Sequence, residues 1–425
     1  MAEADARFPS PSSSDGGHGA GLDVHSMIGF VRVGGPVASP TGDKIAYSAR
    51  RWDTAAKKWG SSLSLLDLAA WEAAGAEAGR AAEFTTQLTR IAAGVSDSAP
   101  VFSPDGLSLA FSSNRSGASQ IWVLPSLTGP GEAVQLTDLP LDVGDVWWGV
   151  GDRLFFACGV FPSLSIEATA AKDKELAELK SSGVSAMSFT QLPVRSWDEW
   201  CDAKRNHVFV APIERPGAGG DSWSVGEATD LLAGLDTDCP LKPFGGAEDY
   251  SVSPDGTSVV YCCRPPADQA TDQAWSTNTN LYLHLLVKSS PNPLDTPRRR
   301  TSLASPAAFS DEDGDEDPED MPSSPAFRAS PSGGSADTAV AGCLTLGNEG
   351  YDTNPVYSPD GQQIAYLSMV TPGYEADTNK IKIFDLRSGA RRAIATTWDA
   401  SVDEICWSND GAALFCTAQC KGHSV

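Results

Sequence analysis

Two groups of residues in this 425-residue chain combine carboxylates with aromatic rings: Trp197-Asp198-Glu199-Trp200, and Glu375 with Asp377 in the stretch GYEAD. Convergent carboxylates hold ammonium groups through charge-assisted hydrogen bonds, and an indole face attracts a cation through its quadrupole. Together they suit a cation on an apolar stem. The plainer alternative is that Trp197 and Trp200 pack a neighbouring helix while the acids are solvated. No nucleophile accompanies either group. A serine on a strand-to-helix elbow would need G-x-S-x-G, followed by an acid and a histidine in chain order, and the sequence has no such motif. Of the five histidines, His18 and His25 precede the repeats described below, His207 and His284 fall on predicted strands, and His423 is close to the end. No Ser-His-Asp set can be assembled, so no catalytic residue is assigned. The nine cysteines are odd in number and contain no C-x-x-C, which argues against a disulfide framework or a zinc site. Neither a metal nor a cofactor is expected.

The elements that must carry these residues are repeated. ASPTGDKIAYSA from Ala38, FSPDGLSLAFSS from Phe102, VSPDGTSVVYCC from Val252, YSPDGQQIAYLS from Tyr357 and WSNDGAALFCTA from Trp407 are copies of one pattern, with a weaker copy from Trp148. A short run ends in Ser-Pro, a step such as Asp-Gly reverses the chain, and an apolar run follows, which describes a hairpin. After Ser112 the best copy continues through NRSG, QIWVLPS, a Gly-Pro-Gly turn and AVQLT. Four antiparallel strands in about 40 residues make one propeller blade.

The fold class expected is all-β, a β-propeller of five complete blades and a partial sixth that reads as truncated. Blade one spans about 36–89, blade two 100–137, blade three 145–235, blade four 250–346 and blade five 355–396, with the sixth starting near Glu404. Residues 1–21 are expected to be a disordered tail preceding a propeller domain over 22–425. The uneven spacing of the repeat serines, at 39, 103, 253, 358 and 408, requires loop insertions. Residues 166–180 (IEATAAKDKELAELK) have helix-forming composition. Residues 289–338 hold eight prolines, ten serines and an acidic run, a composition that does not support an ordered core. Within that tract Ser302 follows two arginines and Ser310 precedes Asp311-Glu312-Asp313, so both resemble phosphorylation sites; serine beside charge is also common in any such tract.

The formal charge is −24, and eight of the acids lie between Asp311 and Asp320. An acidic surface repels phosphate backbones and anionic lipid, so neither nucleic acid nor a membrane is expected as a partner. The start of the chain has no apolar core of a signal peptide, and no run approaches the roughly 18 apolar residues of a membrane span. A cytoplasmic location is the resulting expectation.

Four longer stretches go beyond generic propeller sequence: residues 192–213 (LPVRSWDEWCDAKRNHVFVAPI), PFGGAEDYSVSPDG from Pro243, AWSTNTNLYL from Ala274, and the run from Asn348 to Leu386. They resemble the dipeptidyl-peptidase five branch of the prolyl oligopeptidase family, and the likeness runs from about Leu22 to Gly411 with two interruptions. The resemblance implies a seven-bladed propeller capping an α/β-hydrolase domain, which this chain lacks, and gating access of short peptides to it. It implies dipeptidyl or acylaminoacyl release in the longer form. It also implies that Trp197, Asp198, Glu199, Trp200, Glu375 and Asp377 help hold a peptide N-terminus. The competing expectation is a non-catalytic propeller that binds partner proteins.

Overall fold

Each repeat turn is clasped by its own side chains. Ser253 donates to Asp255 Oδ1 (2.7 Å) and accepts from the amide of Ser258 (3.0 Å), while Gly256 completes the reversal at φ 68°. Glycine takes this left-handed backbone without steric cost. The same clasp joins Ser103 to Asp105 (2.5 Å), Ser358 to Asp360 (2.6 Å) and Ser408 to Asp410 (2.6 Å), while in blade one Ser39 reaches past the turn glycine to Asp43 (2.8 Å). The serine hydroxyls hold the carboxyls of Asp360 and Asp410 below the usual range. These serines are therefore engaged in turn geometry, and none is presented as a nucleophile beside a base.

The computed structural model describes residues 23–75, 77–127, 132–183, 186–189, 195–216, 222–265, 276–286 and 338–425. The expectations for 1–21 and for almost all of 289–338, including Ser302 and Ser310, lie outside the described residues. The chain divides into two compact units, one comprising Met1–Gly159, Leu164–Ser182 and Phe209–Thr229, the other Val160–Ser163, Gly183–Val208 and Asp230–Val425.

In the first unit, the short helix Val24–Gly29, capped by Asp23, leads to Arg32–Val33, which pairs with Lys44–Asp53. Blade one continues through Lys58–Asp67 to Thr85–Gln87. Blade two is a four-stranded sheet of Asp97–Phe102, Leu109–Ser113, Gln120–Leu124 and Val134–Gln135. Their facing sides form one core in which Leu63 and Leu65 meet Phe102, Leu109 and Phe111. Burying each such side chain contributes roughly 1.5–3 kcal/mol. Most of blade three also belongs here, with Val143–Gly149 and all but the last residue of Arg153–Val160, and its connection contains the helix Ile166–Ser181, capped by Ser165.

Blade one includes a close backbone approach. A Cβ on Gly60 would lie 2.3 Å from the carbonyl oxygen of Ala92. Gly60→Ala is thus expected to cost about 2 kcal/mol, because backbone must move to relieve the overlap. Chemical denaturation, comparing midpoints at constant slope, measures it; an unchanged midpoint would show that the loop at Ala92 yields freely.

The second unit holds blade four (Tyr250–Val252, Ser258–Cys263, Asn280–Leu286, Thr338–Cys343) and blade five (Tyr351–Tyr357, Gln363–Met369, Lys380–Asp385, Arg391–Ile394). Side-chain alternation along a strand lets one strand serve two cores. Ile364 and Tyr366 pack with Val260 and Leu281 of blade four, whereas Ala365 and Leu367 pack with Val402 and Ile405 of blade six.

Blade six corrects the expectation of five complete blades and a broken, truncated sixth. Six sheets follow one another, mostly four-stranded, and the sixth has three strands: Ser401–Trp407, Leu414–Cys420 and His423–Ser424. The fold is an all-β propeller of six blades. Lys421 and Gly422 take φ 51° and 81°, and this tight reversal pairs Cys420 with His423 and Gln419 with Ser424. Positive φ at both central residues is the geometry of a two-residue hairpin turn. The last strand is only two residues long, so no apolar alternation announces it.

Blades two and five share a further device in their first strands. Asp97 pairs opposite Ser113, and Asp352 opposite Ser368; in both, the register then slips, before Val101 and before Val356. At these bulges Ala99 and Asn354 stand at φ 48° and 49°. Both aspartates are buried, at 0% and 1% exposure.

Candidate functional site

The antiparallel order of each blade puts the serine turn at one end of the first hairpin and the connection between second and third strands at the other. The Trp197 group and Glu375–Asp377 occur in such connections, in blades three and five, and both belong to the second unit.

Around Trp197 the chain forms a ribbon of its own. Arg195–Ser196 pairs with Glu199–Trp200, leaving Trp197 and Asp198 as the turn. Trp197 adopts φ 50°, a conformation that disfavours bulky L-residues. Its ring is 69% exposed and lies 5.2 Å from Phe244, itself 72% exposed. Trp200, 59% exposed, lies 5.9 Å from Phe189. Asp198 is exposed at the turn.

An ion network lies between the two segments that carry these rings. Arg205 Nε is 2.8 Å from Asp236 and 3.8 Å from Asp238, and its guanidinium donates to the carbonyls of Asp202 and Lys204. Lys242, two residues before Phe244, donates to the carbonyl of Lys204 (2.8 Å) and stands 3.7 Å from Asp202 and from Asp238. Burial raises the Asp238 carboxyl, with Lys242 and Arg205 opposing it. Phe244, Lys242 and Arg205 were not singled out from sequence as site residues. The available signal was an aromatic residue between Pro243 and the pair Gly245-Gly246, a loop context in which no core would be expected to take it.

Glu375 and Asp377 behave differently from each other. Partial burial works against ionisation of Asp377, but the amides of Val370 (3.1 Å), Thr371 (2.9 Å) and Thr378 (2.7 Å) outweigh it and hold its carboxyl low. Asp377 is a loop clasp, while Glu375 is exposed on the same loop. The two carboxylate groups thus sit in separate connections.

His207 is fully buried, with Nδ1 2.8 Å from Asp230 and Nε2 3.1 Å from the carbonyl of Leu235. Both nitrogens are occupied, so the His–Asp pair has no free nitrogen to serve a nucleophile. His284 is buried, and among the described residues neither of its ring nitrogens finds a hydrogen-bond partner. His423 is exposed in the last strand. Among the described residues no group of three or more His, Cys, Asp or Glu is placed to hold a metal ion, and no helix is long and apolar enough to cross a membrane.

Six antiparallel blades, five of them with a serine-clasped turn in the first hairpin, define a β-propeller. No protein-family profile matches the chain. It is similar to dipeptidyl-peptidase 5 of Porphyromonas gingivalis, at 28% identity over 232 residues, covering 55% of this chain and 25% of that protein. Probable dipeptidyl-peptidase 5 of Emericella nidulans is also 28% identical, over 243 residues, covering 56% of this chain and 26% of the relative. The match therefore spans about a quarter of the length of these curated relatives. Among solved structures, acylaminoacyl peptidase of Pyrococcus horikoshii superposes with a TM-score of 0.50 at 13% identity, covering 92% of this chain and 44% of that one. This second likeness establishes the fold. The chain is a β-propeller similar in sequence to part of the dipeptidyl-peptidases 5 and in fold to part of acylaminoacyl peptidase.

Proposed function

We propose that this chain is the substrate-gating propeller of a serine-type exopeptidase resembling dipeptidyl-peptidase 5, working with an α/β-hydrolase domain that removes short units from peptide N-termini. The observation that carries this reading is the sequence relation to the dipeptidyl-peptidases 5 across more than half of the chain. In this reading a hydrolase serine attacks the peptide carbonyl, and the propeller contributes size exclusion and orientation of the N-terminus. Trp197, Asp198, Glu199, Trp200 and Glu375 contribute rings and carboxylates to the peptide ammonium, with Asp377 holding the loop of Glu375. The nine free cysteines, four of them fully buried, support a reducing compartment such as the cytoplasm.

Two measurements test the reading. The 425-residue chain alone is expected to take up no fluorophosphonate label, and stoichiometric labelling of one serine would overturn the division of labour. In a form carrying the hydrolase domain, Asp198→Ala and Glu375→Ala are expected to reduce the preference for free over N-acylated peptides at least about ten-fold, the loss of one charge-assisted contact. Unchanged discrimination in both would remove amine anchoring. A partner-binding propeller is the second reading, favoured by the exposed aromatic surface at Trp197.

A further inference from the structure

Trp197, Phe244 and Trp200 are each more than half exposed, and with Phe189 they make two close ring pairs on neighbouring segments. Exposed apolar residues scattered singly are ordinary; rings grouped on a surface mark recognition, where aromatic residues are enriched. The group is also pre-organised. Lys242 ties the segment carrying Phe244 to the backbone at Lys204, and Arg205 ties the same stretch to Asp236, so part of the ordering between the two segments is in place before binding. Trp197 keeps its exposed ring at a turn position whose backbone favours glycine or asparagine, a locally unfavourable choice that a functional demand would explain.

The charge around the rings selects the occupant. Outside the core, the described side chains of residues 195–205 and 236–249 include five carboxylates and four cations; Asp202, Asp236 and Asp238 are paired with Arg205 and Lys242, while Asp198, beside the Trp197 ring, has no ion-pair partner among the described residues. Nucleic acid and anionic lipid are disfavoured by the chain's net charge of −24. A second copy would bring the same carboxylates face to face. An arginine suits both features, because its planar guanidinium stacks on aromatic faces and pairs with carboxylates.

We propose that the Trp197–Phe244 surface docks an extended segment of a partner protein carrying an arginine next to an apolar side chain, the guanidinium over the rings and beside Asp198. This binding needs no free N-terminus and no hydrolase domain, so it goes beyond the gating reading.

Isothermal titration of the whole 425-residue chain with acetyl-Gly-Gly-Arg-Phe-Gly-Gly-amide tests it, since the arginine is the only cation of this probe. Saturable binding is expected, weakening at least ten-fold with Trp197→Ser or Phe244→Ser, with glutamate in place of the peptide arginine, and in high salt. Both rings project mostly into solvent, so these variants should retain the parent melting temperature, which is recorded alongside. Equal binding by the variants, equal binding of the glutamate peptide, or no saturable heat up to about 1 mM peptide would overturn the proposal. Reversible self-association abolished by the same substitutions, without peptide binding, would overturn it in favour of a second copy. The unacetylated peptide separates the two readings: an affinity equal to that of the acetylated one leaves arginine docking standing and argues against ammonium anchoring.

Discussion

Asp97→Ala is expected to destabilise the first unit by about 3 kcal/mol, the scale of breaking a buried ion pair from one side. Asp97 is fully buried, accepts from Ser113 Oγ at 2.6 Å and holds the Arg115 guanidinium at 2.5 Å. Removing the carboxylate leaves the Ser113 hydroxyl and a mostly buried guanidinium without their acceptor. Arg115 also lies over the rings of Phe111 and Trp122, so its displacement disturbs the blade two core. The corresponding bulge in blade five supplies an internal control. Asp352 accepts from Ser368 (2.6 Å) and Asn348 (2.8 Å), yet its second carboxylate oxygen has no partner among the described residues and burial raises its carboxyl. Asp97→Asn should therefore be strongly destabilising, because it discards the charge that Arg115 requires. Asp352→Asn should stay within about 1 kcal/mol of the parent, since it removes a buried charge with no cation in hydrogen-bond contact. Urea midpoints of the two asparagine variants decide the matter; equal losses would mean that the Arg115 pairing adds nothing.

Acid is expected to weaken the second unit through His284. In the unfolded chain this imidazole gains a proton near its ordinary value of 6.5, whereas burial in the fold pushes it down to about 4, the Asp230 carboxylate opposing only in part. Above the unfolded value both states are neutral and the residue adds no pH dependence. As pH falls from about 6.5 toward 4 the unfolded state binds the proton first, so stability declines, by about 3 kcal/mol once the folded value is passed. His284→Leu should flatten this part of the stability–pH profile. It should also raise stability at pH 7 by about 1 kcal/mol, because two buried nitrogens without partners are removed. Denaturation midpoints from pH 7 to 4 for parent and variant give the answer, and superimposable profiles would exclude His284 as the sensitive group.

The propeller was legible because its signals are local. Ser-Pro-Asp-Gly encodes a turn whose serine, aspartate and glycine lie within four residues, and the following apolar run needs only its own alternation to be read as a strand. The weaker signals failed where locality failed. The two-residue strand His423–Ser424 has no periodicity to read, and only its pairing with Gln419 and Cys420 reveals it. Nothing local marks Asp97 or Asp352, because burial and bulge register depend on the partner strand.

For the candidate site the division is sharper. Trp197, Asp198, Glu199, Trp200 and Glu375 could be named from sequence because they lie in the family-like stretches, where an aromatic ring stands beside an acid. Asp377, which appeared equivalent to Glu375, is instead clasped by three backbone amides of its own loop. Trp197 and Trp200 pair with Phe244 and Phe189, and the former is 47 positions away in sequence, so no window of local reading could join them. Alone, the chain determined its turns, its strands and the acidic sign of its surface, all of which follow from short-range geometry and composition. Tertiary structure alone decided which carboxylates became clasps, which histidine lost its partners, and which rings met on the surface, because each is a contact between segments that only folding brings together.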